Sequence, residues 1–170
     1  MGIPQAPEWW RGEEGVGEGQ PWDNQFIIMA NRPIKAGEVT IIEFDYSSKV
    51  DATTNTQCGK FGEAGGYVFW NALGDVNFTT EEQHFSKTYT VPGDADGMGA
   101  FNFNMAVMKG ANVYNISNVK WYLEDLTETL IDMTGGKNFY IKGYNDYKKE
   151  RAEYNRELEK ERENNLAAKQ

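Results

Sequence analysis

The sequence is poor in histidine and cysteine, two residue types that many catalytic sites use. It contains one histidine and one cysteine among 170 residues. A single cysteine, Cys58, can form neither an internal disulfide nor a zinc ribbon, and we expect an inert thiol there. His84 stands without a Ser or Cys in a nucleophile motif, so a catalytic triad has no support.

Basic residues and long apolar runs are also scarce. Lysine and arginine together number 17 against 26 acidic residues, for a net charge of -9. An acidic chain is poorly suited to a phosphate backbone or an anionic lipid surface. No apolar run approaches the roughly 20 residues of a membrane span, and the first residues lack a signal-peptide pattern. We therefore expect no nucleic acid partner and no membrane insertion.

Aromatic residues are abundant, at 14% of the chain, and the segment Ala100 to Met105 shows how they are arranged. In a strand, Phe101, Phe103 and Met105 share one face, while Asn102 and Asn104 share the other. The two phenyl rings and the methionine thioether are apolar and suit a hydrophobic core. Asn is depleted in strands, and neutral amides offer donors and acceptors that suit a hydroxyl-rich ligand.

Short strands separated by turn residues run through the middle of the chain. Seven are predicted, which is typical of a two-sheet antiparallel β-sandwich in the all-β class: Asn24–Asn31, Glu38–Ser47, Ala52–Cys58, Gly66–Leu73, Gln83–Val91, Gly99–Ala106 and Val113–Leu123. The last changes phase, and a bulge near Ser117-Asn118 would reconcile its two halves.

Three regions are predicted from the changes in composition. Residues 1–21 form a loop-rich segment, residues 22–143 the β-sandwich, and residues 144–170 a charged tail or linker. Within the tail, Asp146 to Glu163 lacks Gly and Pro and pairs opposite charges three residues apart, which predicts an exposed helix. A coiled-coil partner is the alternative, but sustained heptads are missing.

Candidate catalytic and metal-binding residues are few. In the strand Glu38–Ser47, Glu43 and Asp45 lie on the face opposite Thr40, Ile42, Phe44 and Tyr46. A glycosidase needs two carboxylates facing each other across a cleft, and no second strand supplies the other. The run Asp94 to Gly97 begins like a calcium loop but lacks its closing acidic residue, so we expect a plain turn and no cofactor.

Several blocks together carry a family resemblance. They are Trp22-Asp23-Asn24-Gln25-Phe26, Ala36-Gly37 before a strand ending Glu43-Phe44-Asp45-Tyr46, Gly66-Tyr67-Val68-Phe69-Trp70, Gly74-Asp75-Val76-Asn77-Phe78-Thr79, Ala100 to Met105, and Tyr114-Asn115-Ile116-Ser117-Asn118-Val119. In this order, over about residues 22–123, they resemble carbohydrate-binding modules (CBMs) of families 4 and 22. The likeness is strongest to modules in, or attached to, family 10 xylanases of gut Bacteroidetes.

The resemblance implies a jelly-roll β-sandwich that binds xylan or related β-glucans without catalysis. By position, Gln25, Gln57, Trp70, Asn102 and Asn104 are similar to groove residues of the family. Trp70 would be the platform on which a sugar ring stacks, although a core role for it is the alternative. Further candidates are Tyr67 and Asn71, but a regular strand places both on the face opposite Trp70.

The resemblance also implies what the chain would be attached to and where it would be located. The chain would be part of a larger secreted bacterial glycoside hydrolase, and so extracellular, periplasmic or on the cell surface, holding the enzyme near β-1,4-linked xylan. Two alternatives stay open: a small jelly-roll glycosidase, and a β-sandwich whose amide-rich face binds another protein.

Overall fold

β-strands occur one after another along most of the described part of the chain. A computed structural model describes residues 21–107, 112–132, 137–142, 156 and 159–167. Within these ranges there are nine β-strands: β1 (Gln25–Ile34), β2 (Val39–Ser48), β3 (Ala52–Lys60), β4 (Tyr67–Phe69), β5 (Val76–Phe78), β6 (Gln83–Thr90), β7 (Met98–Asn104), β8 (Tyr114–Leu123) and β9 (Phe139–Lys142).

The strands form two antiparallel sheets. The larger has the order β4-β3-β7-β1-β9, with β5 paired to the first part of β3. The smaller has the order β6-β2-β8. Every strand pair is antiparallel, so the two-sheet sandwich and the all-β class predicted from the sequence are confirmed.

Aromatic side chains from both sheets meet in the core. Phe101 of β7 lies against Trp121 of β8, with ring centroids 4.6 Å apart. Phe103 of β7 packs edge to face on Phe44 of β2 at 5.6 Å. All four side chains are fully buried, and Met105 nearly so. The predicted core face of the Phe-Asn-Phe-Asn-Met strand is therefore confirmed, and burial of rings this large contributes about 1.5–3 kcal/mol each.

The predicted irregularity in the last long strand is present. Glu43 pairs with Lys120 and Asp45 with Ser117, so β8 has an extra residue opposite Phe44. Asn118 lies in this bulge and has a φ of 51°. This is a left-handed conformation that Asn tolerates better than most residues. Val119 and Trp121 consequently return to the core face.

Two parts of the sheet differ from the expectation. The predicted strand Gly66–Leu73 is wrong in its second half, because β4 ends at Phe69 and the chain then bends. Leu73 instead donates its backbone N–H to the Thr56 hydroxyl. Strands β5 and β9 were not predicted, because three or four residues are too few to show a period of two.

The charged tail is helical where the structure describes it. Residue 156 and residues 159–167 are helical and exposed, and Arg162 pairs with Glu159 at 3.6 Å, at the predicted spacing of three residues. The rest of the tail's predicted helix and nearly all of the predicted N-terminal loop lie outside the described residues. No helix in the described part of the chain is long and apolar enough to cross a membrane. The division of the chain into three regions stays a prediction.

Candidate functional site

An open cleft of about 290 Å³ lies on the outer face of the larger sheet, away from the core. Its lining combines aromatic rings, amides and one charge: Trp22, Gln25, Gln57, Gly65, Tyr67, Trp70 and Lys142. Four of the seven residues predicted for the groove are thus brought together here. Clefts in which apolar walls surround a few oriented polar groups are typical of small-ligand sites.

The exposed wall of the cleft is aromatic. Tyr67 is 57% exposed and Trp70 is 46% exposed, high values for such large rings. The expectation that they lie on opposite faces of one strand is wrong. Because β4 ends at Phe69 and the chain bends at Trp70, the alternation is interrupted and both rings line the cleft.

Trp22 completes the aromatic wall, although it was not among the predicted site residues. It belongs to a short 3-10 turn, Pro21–Asp23, directly before β1. Its ring meets that of Trp70 edge to face, with centroids 6.4 Å apart and planes at 86°. The sequence feature that could have identified Trp22 is an indole directly before a strand, in a segment otherwise poor in apolar residues.

A row of amides crosses three neighbouring strands beneath the cleft. Asn104 of β7 pairs in register with Gln25 of β1 on one side and with Asn55 of β3 on the other. Gln25 Nε2 donates to Asn104 Oδ1 at 2.8 Å, and Asn104 Nδ2 donates to Asn55 Oδ1 at 2.6 Å. Gln25 Nε2 also lies 3.4 Å from Gln57 Oε1. The amides therefore fix one another's orientation.

These amide side chains are more buried than is expected of side chains that contact a ligand directly. Asn102 and Asn104 are fully buried, and neither lines the cleft. Gln25 and Gln57 are 1% and 5% exposed but do line it. A direct sugar contact by Asn102 or Asn104 stays a prediction, and their observed contacts are with other protein groups.

Asn102 lies under the loop that joins β3 to β4. Its Nδ2 donates to the Gly66 carbonyl at 3.2 Å. The same amide packs over Gly59, where a Cβ would come within 2.5 Å of Asn102 Oδ1. The backbone N–H of Gly62, in this loop, also points to Met29 Sδ at 3.4 Å. The loop thus covers part of the sheet's outer face and carries Gly65 to the edge of the cleft.

One polar atom at the floor of the cleft has no partner within the described structure. Gln25 Oε1 is buried and accepts no hydrogen bond there. A buried acceptor without a donor is costly, by about 1–3 kcal/mol. Gln25 lines the cleft, but its side chain would have to move before a ligand could donate to that oxygen.

Asn71, the last predicted residue, is exposed and is not part of the cleft lining. Its backbone carbonyl accepts a hydrogen bond from the Tyr89 hydroxyl, and Cys58 Sγ lies 3.6 Å from the same oxygen. Burial raises the pKa of the Cys58 thiol to about 11, in keeping with an inert thiol. A ligand role for Asn71 stays a prediction.

The charged residues considered for catalysis lie on the opposite side of the molecule. His84 Nδ1 is 2.7 Å from Asp45 Oδ1, and His84 Nε2 is 3.3 Å from Glu43 Oε1, on the outer face of the smaller sheet. Glu43 also accepts from the Tyr122 hydroxyl at 2.6 Å, and Asp45 accepts from Asn118 at 2.8 Å. The carboxylates are engaged with these partners, and neither lines the cleft.

No cluster of metal-ligating side chains occurs among the residues that the structure describes. The run that begins like a calcium loop, Asp94 to Gly97, overlaps a 3-10 turn, Gly93–Ala95. Asp96 Oδ1 accepts the backbone N–H of Ala36 at 2.8 Å, so this carboxylate joins two loops.

Comparison with known proteins gives likenesses of structure. No protein-family model matches the sequence, and no curated protein matches it significantly. Among solved structures, the apo CBM of PbXyn10C aligns with a TM-score of 0.55 and 11% identity over 72% of each chain. A CBM4 structure aligns at 0.43, with 22% identity over 59% of each chain. The N-terminal cellulose-binding domain of Cellulomonas fimi β-1,4-glucanase C aligns at 0.39, with 20% identity over 54% of this chain and 64% of that one.

The likeness to the PbXyn10C module establishes the fold. The chain is a β-sandwich of the kind found in that carbohydrate-binding module, as the strand pairing also requires.

Proposed function

We propose that this chain is a non-catalytic carbohydrate-binding module of the family 4 or 22 type, which binds xylan or a related β-1,4-linked polysaccharide. The observation that carries the proposal is the cleft in which Tyr67 and Trp70 are exposed beside Gln25 and Gln57. Sugar rings have apolar C–H faces that lie against aromatic rings. Their hydroxyls need partners that both donate and accept, as amides do.

The shape of the site supports a chain-like ligand. The cleft is open to solvent and lies across the sheet between the 3-10 turn before β1 and the end of β4. An open cleft lets a polymer pass through without its ends entering. Affinity would be modest, because hydroxyls exchange water for protein partners at little net gain.

The glycosidase alternative is less well supported. No Asp or Glu is among the residues that line the cleft in the described structure, whereas glycoside hydrolysis uses two carboxyl groups flanking the scissile bond. Glu43 and Asp45 lie on the other sheet and are hydrogen-bonded to Tyr122, Asn118 and His84. We also propose that the module is attached to a secreted glycoside hydrolase and holds that enzyme near its substrate.

Native affinity electrophoresis tests the proposal. The protein is run in gels that contain xylan, mixed-linkage β-glucan or no polysaccharide. Retardation in xylan relative to the empty gel is the expected result. Unchanged mobility in both polysaccharides would refute the proposal, and release of reducing sugar from xylan by the purified chain would favour the glycosidase.

A further inference from the structure

Lys142 is the one charged residue among those that line the cleft in the described structure. It lies in β9, the edge strand of the larger sheet, directly opposite Gln25 of β1. A lysine at an edge is unremarkable when it points to solvent. This one is only partly exposed, and it lies beside the amides and aromatic rings of the cleft.

The loop between β3 and β4 leaves room for this side chain. Gly65 has a φ of +88°, and a Cβ there would lie 2.8 Å from Lys142 Cδ and 3.5 Å from Gln25 Oε1. The lysine stem therefore crosses the surface of Gly65, beside the unpaired oxygen of Gln25. Any larger residue at position 65 would displace the lysine or strain the loop.

Among the residues that the structure describes, no carboxylate forms an ion pair with Lys142. By contrast, Lys60 pairs with Glu63 at 3.6 Å, and Arg32 pairs with both Glu38 and Glu128. An ammonium that has no ion-pair partner among the described residues, in a cleft otherwise lined by neutral side chains, is well suited to an anionic ligand.

We propose that the cleft prefers an acidic glycan, a β-1,4-linked polysaccharide that bears uronic acid groups, and that Lys142 pairs with the carboxylate. This inference rests on the proposed function. A sugar ring stacks on Trp70 while the substituent reaches the β9 edge, so Lys142 determines specificity and the aromatic residues supply most of the affinity. Since the lysine is partly solvated, the pair should improve affinity only about two- to fivefold.

The test uses two xylo-oligosaccharides of equal length, one with a single uronic acid branch and one without, titrated calorimetrically into the full chain. Wild type should bind the acidic ligand about two- to fivefold more tightly. Lys142→Gln should bind both about equally, and Lys142→Arg should retain the preference. The matched control Lys60→Gln, which alters an exposed lysine outside the cleft lining, should behave as wild type.

Salt dependence gives a second measurement that needs no variant. The wild-type preference should shrink towards unity at about 0.5 M sodium chloride, because partly exposed pairs are screened. Equal binding of the two ligands by wild type, or a preference that survives in Lys142→Gln, would overturn the inference and leave the proposed function intact. Failure of both ligands to bind would overturn the proposed function as well.

Discussion

Trp22 and Trp70 meet edge to face at the cleft, with ring centroids 6.4 Å apart. They come from opposite ends of the site, one from the turn before β1 and the other from the bend after β4. Edge-to-face pairs contribute about 0.5–1.5 kcal/mol beyond the area they bury. Each indole therefore holds the other in place without covering it, since both remain more than one-third exposed.

Trp22→Ala should weaken xylan binding even if the ligand stacks mainly on Trp70. Loss of the edge contact frees the Trp70 ring, and loss of the ring itself removes contact area worth about 1–3 kcal/mol. We expect a roughly 5- to 150-fold rise in Kd by calorimetry. Leu126→Ala is the control, an exposed apolar residue outside the cleft lining, and should leave Kd unchanged. Equal Kd values for Trp22→Ala and wild type would contradict a role for this pair.

Asn104→Leu should destabilise the fold as well as the site. The substitution removes the acceptor of Gln25 Nε2 and the donor to Asn55 Oδ1, and it leaves the buried Gln25 amide N–H with only its 3.4 Å contact to Gln57, at a cost of about 1–3 kcal/mol in the free energy of unfolding. Urea denaturation measures the loss. Asn71→Leu changes an exposed asparagine outside the amide row and should stay within about 0.5 kcal/mol of wild type. An Asn104→Leu protein as stable as wild type would mean that the amide row contributes nothing.

Gly59→Ala tests whether the β3–β4 loop depends on close packing against the sheet. A Cβ at this position would lie 2.5 Å from Asn102 Oδ1 and 3.0 Å from Ala100 Cβ. Asn102 would have to move, and with it the hydrogen bond to Gly66. We expect a loss of about 1–3 kcal/mol in urea denaturation, together with weaker ligand binding. Gly93→Ala, where a Cβ meets nothing within 4 Å, is the matched control. Equal stability of the two variants would count against the packing described for the loop.

His84 should make the stability of the smaller sheet depend on pH. The hydrogen bond to Asp45, assisted by that to Glu43, raises the pKa of His84 above its ordinary 6.5. This stabilisation is fully present below about pH 6.5 and is lost as pH rises through the folded-state pKa. Hydrogen bonds from Asn118 and His84 lower the pKa of Asp45 below 3.8. Those from Tyr122 and His84 lower the pKa of Glu43 below 4.5. Their contribution is present above these ordinary values and is lost as pH falls through the lowered ones.

Urea midpoints measured across this range check the prediction. The cluster should stabilise most between about pH 4.5 and 6.5, and the midpoint should fall on the alkaline side. His84→Gln should remove that alkaline decline, and since His84 is the single histidine, no other imidazole can replace the effect. An identical alkaline profile in the variant would show that the pairs with Asp45 and Glu43 do not contribute.

Much of the sandwich could be predicted because its strands carry local signals. In β2 one face is buried and the other is partly solvated, so Thr40, Ile42, Phe44 and Tyr46 stand out by alternation. The bulge in β8 could be predicted because its core residues change phase around Asn118. Where apolar and polar residues alternate over eight or more positions, the alternation is a dependable predictor of a half-buried strand.

The cleft was harder to predict because its geometry depends on contacts that are distant along the chain. The early end of β4 turns Trp70 towards Tyr67, and nothing in the local alternation indicates that bend. All seven residues of β7 are buried, since the β3–β4 loop covers Asn102 and neighbouring strands flank Asn104. Lys142 lies in a four-residue strand with too little pattern to predict its pairing with β1.

The central claim, that a xylan chain lies in the cleft against Trp70, is tested most directly by NMR. The five tryptophan indole N–H signals are followed while a xylo-oligosaccharide is added to the ¹⁵N-labelled protein. The Trp22 and Trp70 signals and the Gln25 and Gln57 side-chain amides should shift together, while the core Trp121 stays unchanged. Saturating ligand that shifts none of these cleft signals, or that shifts signals around His84 instead, would contradict the account.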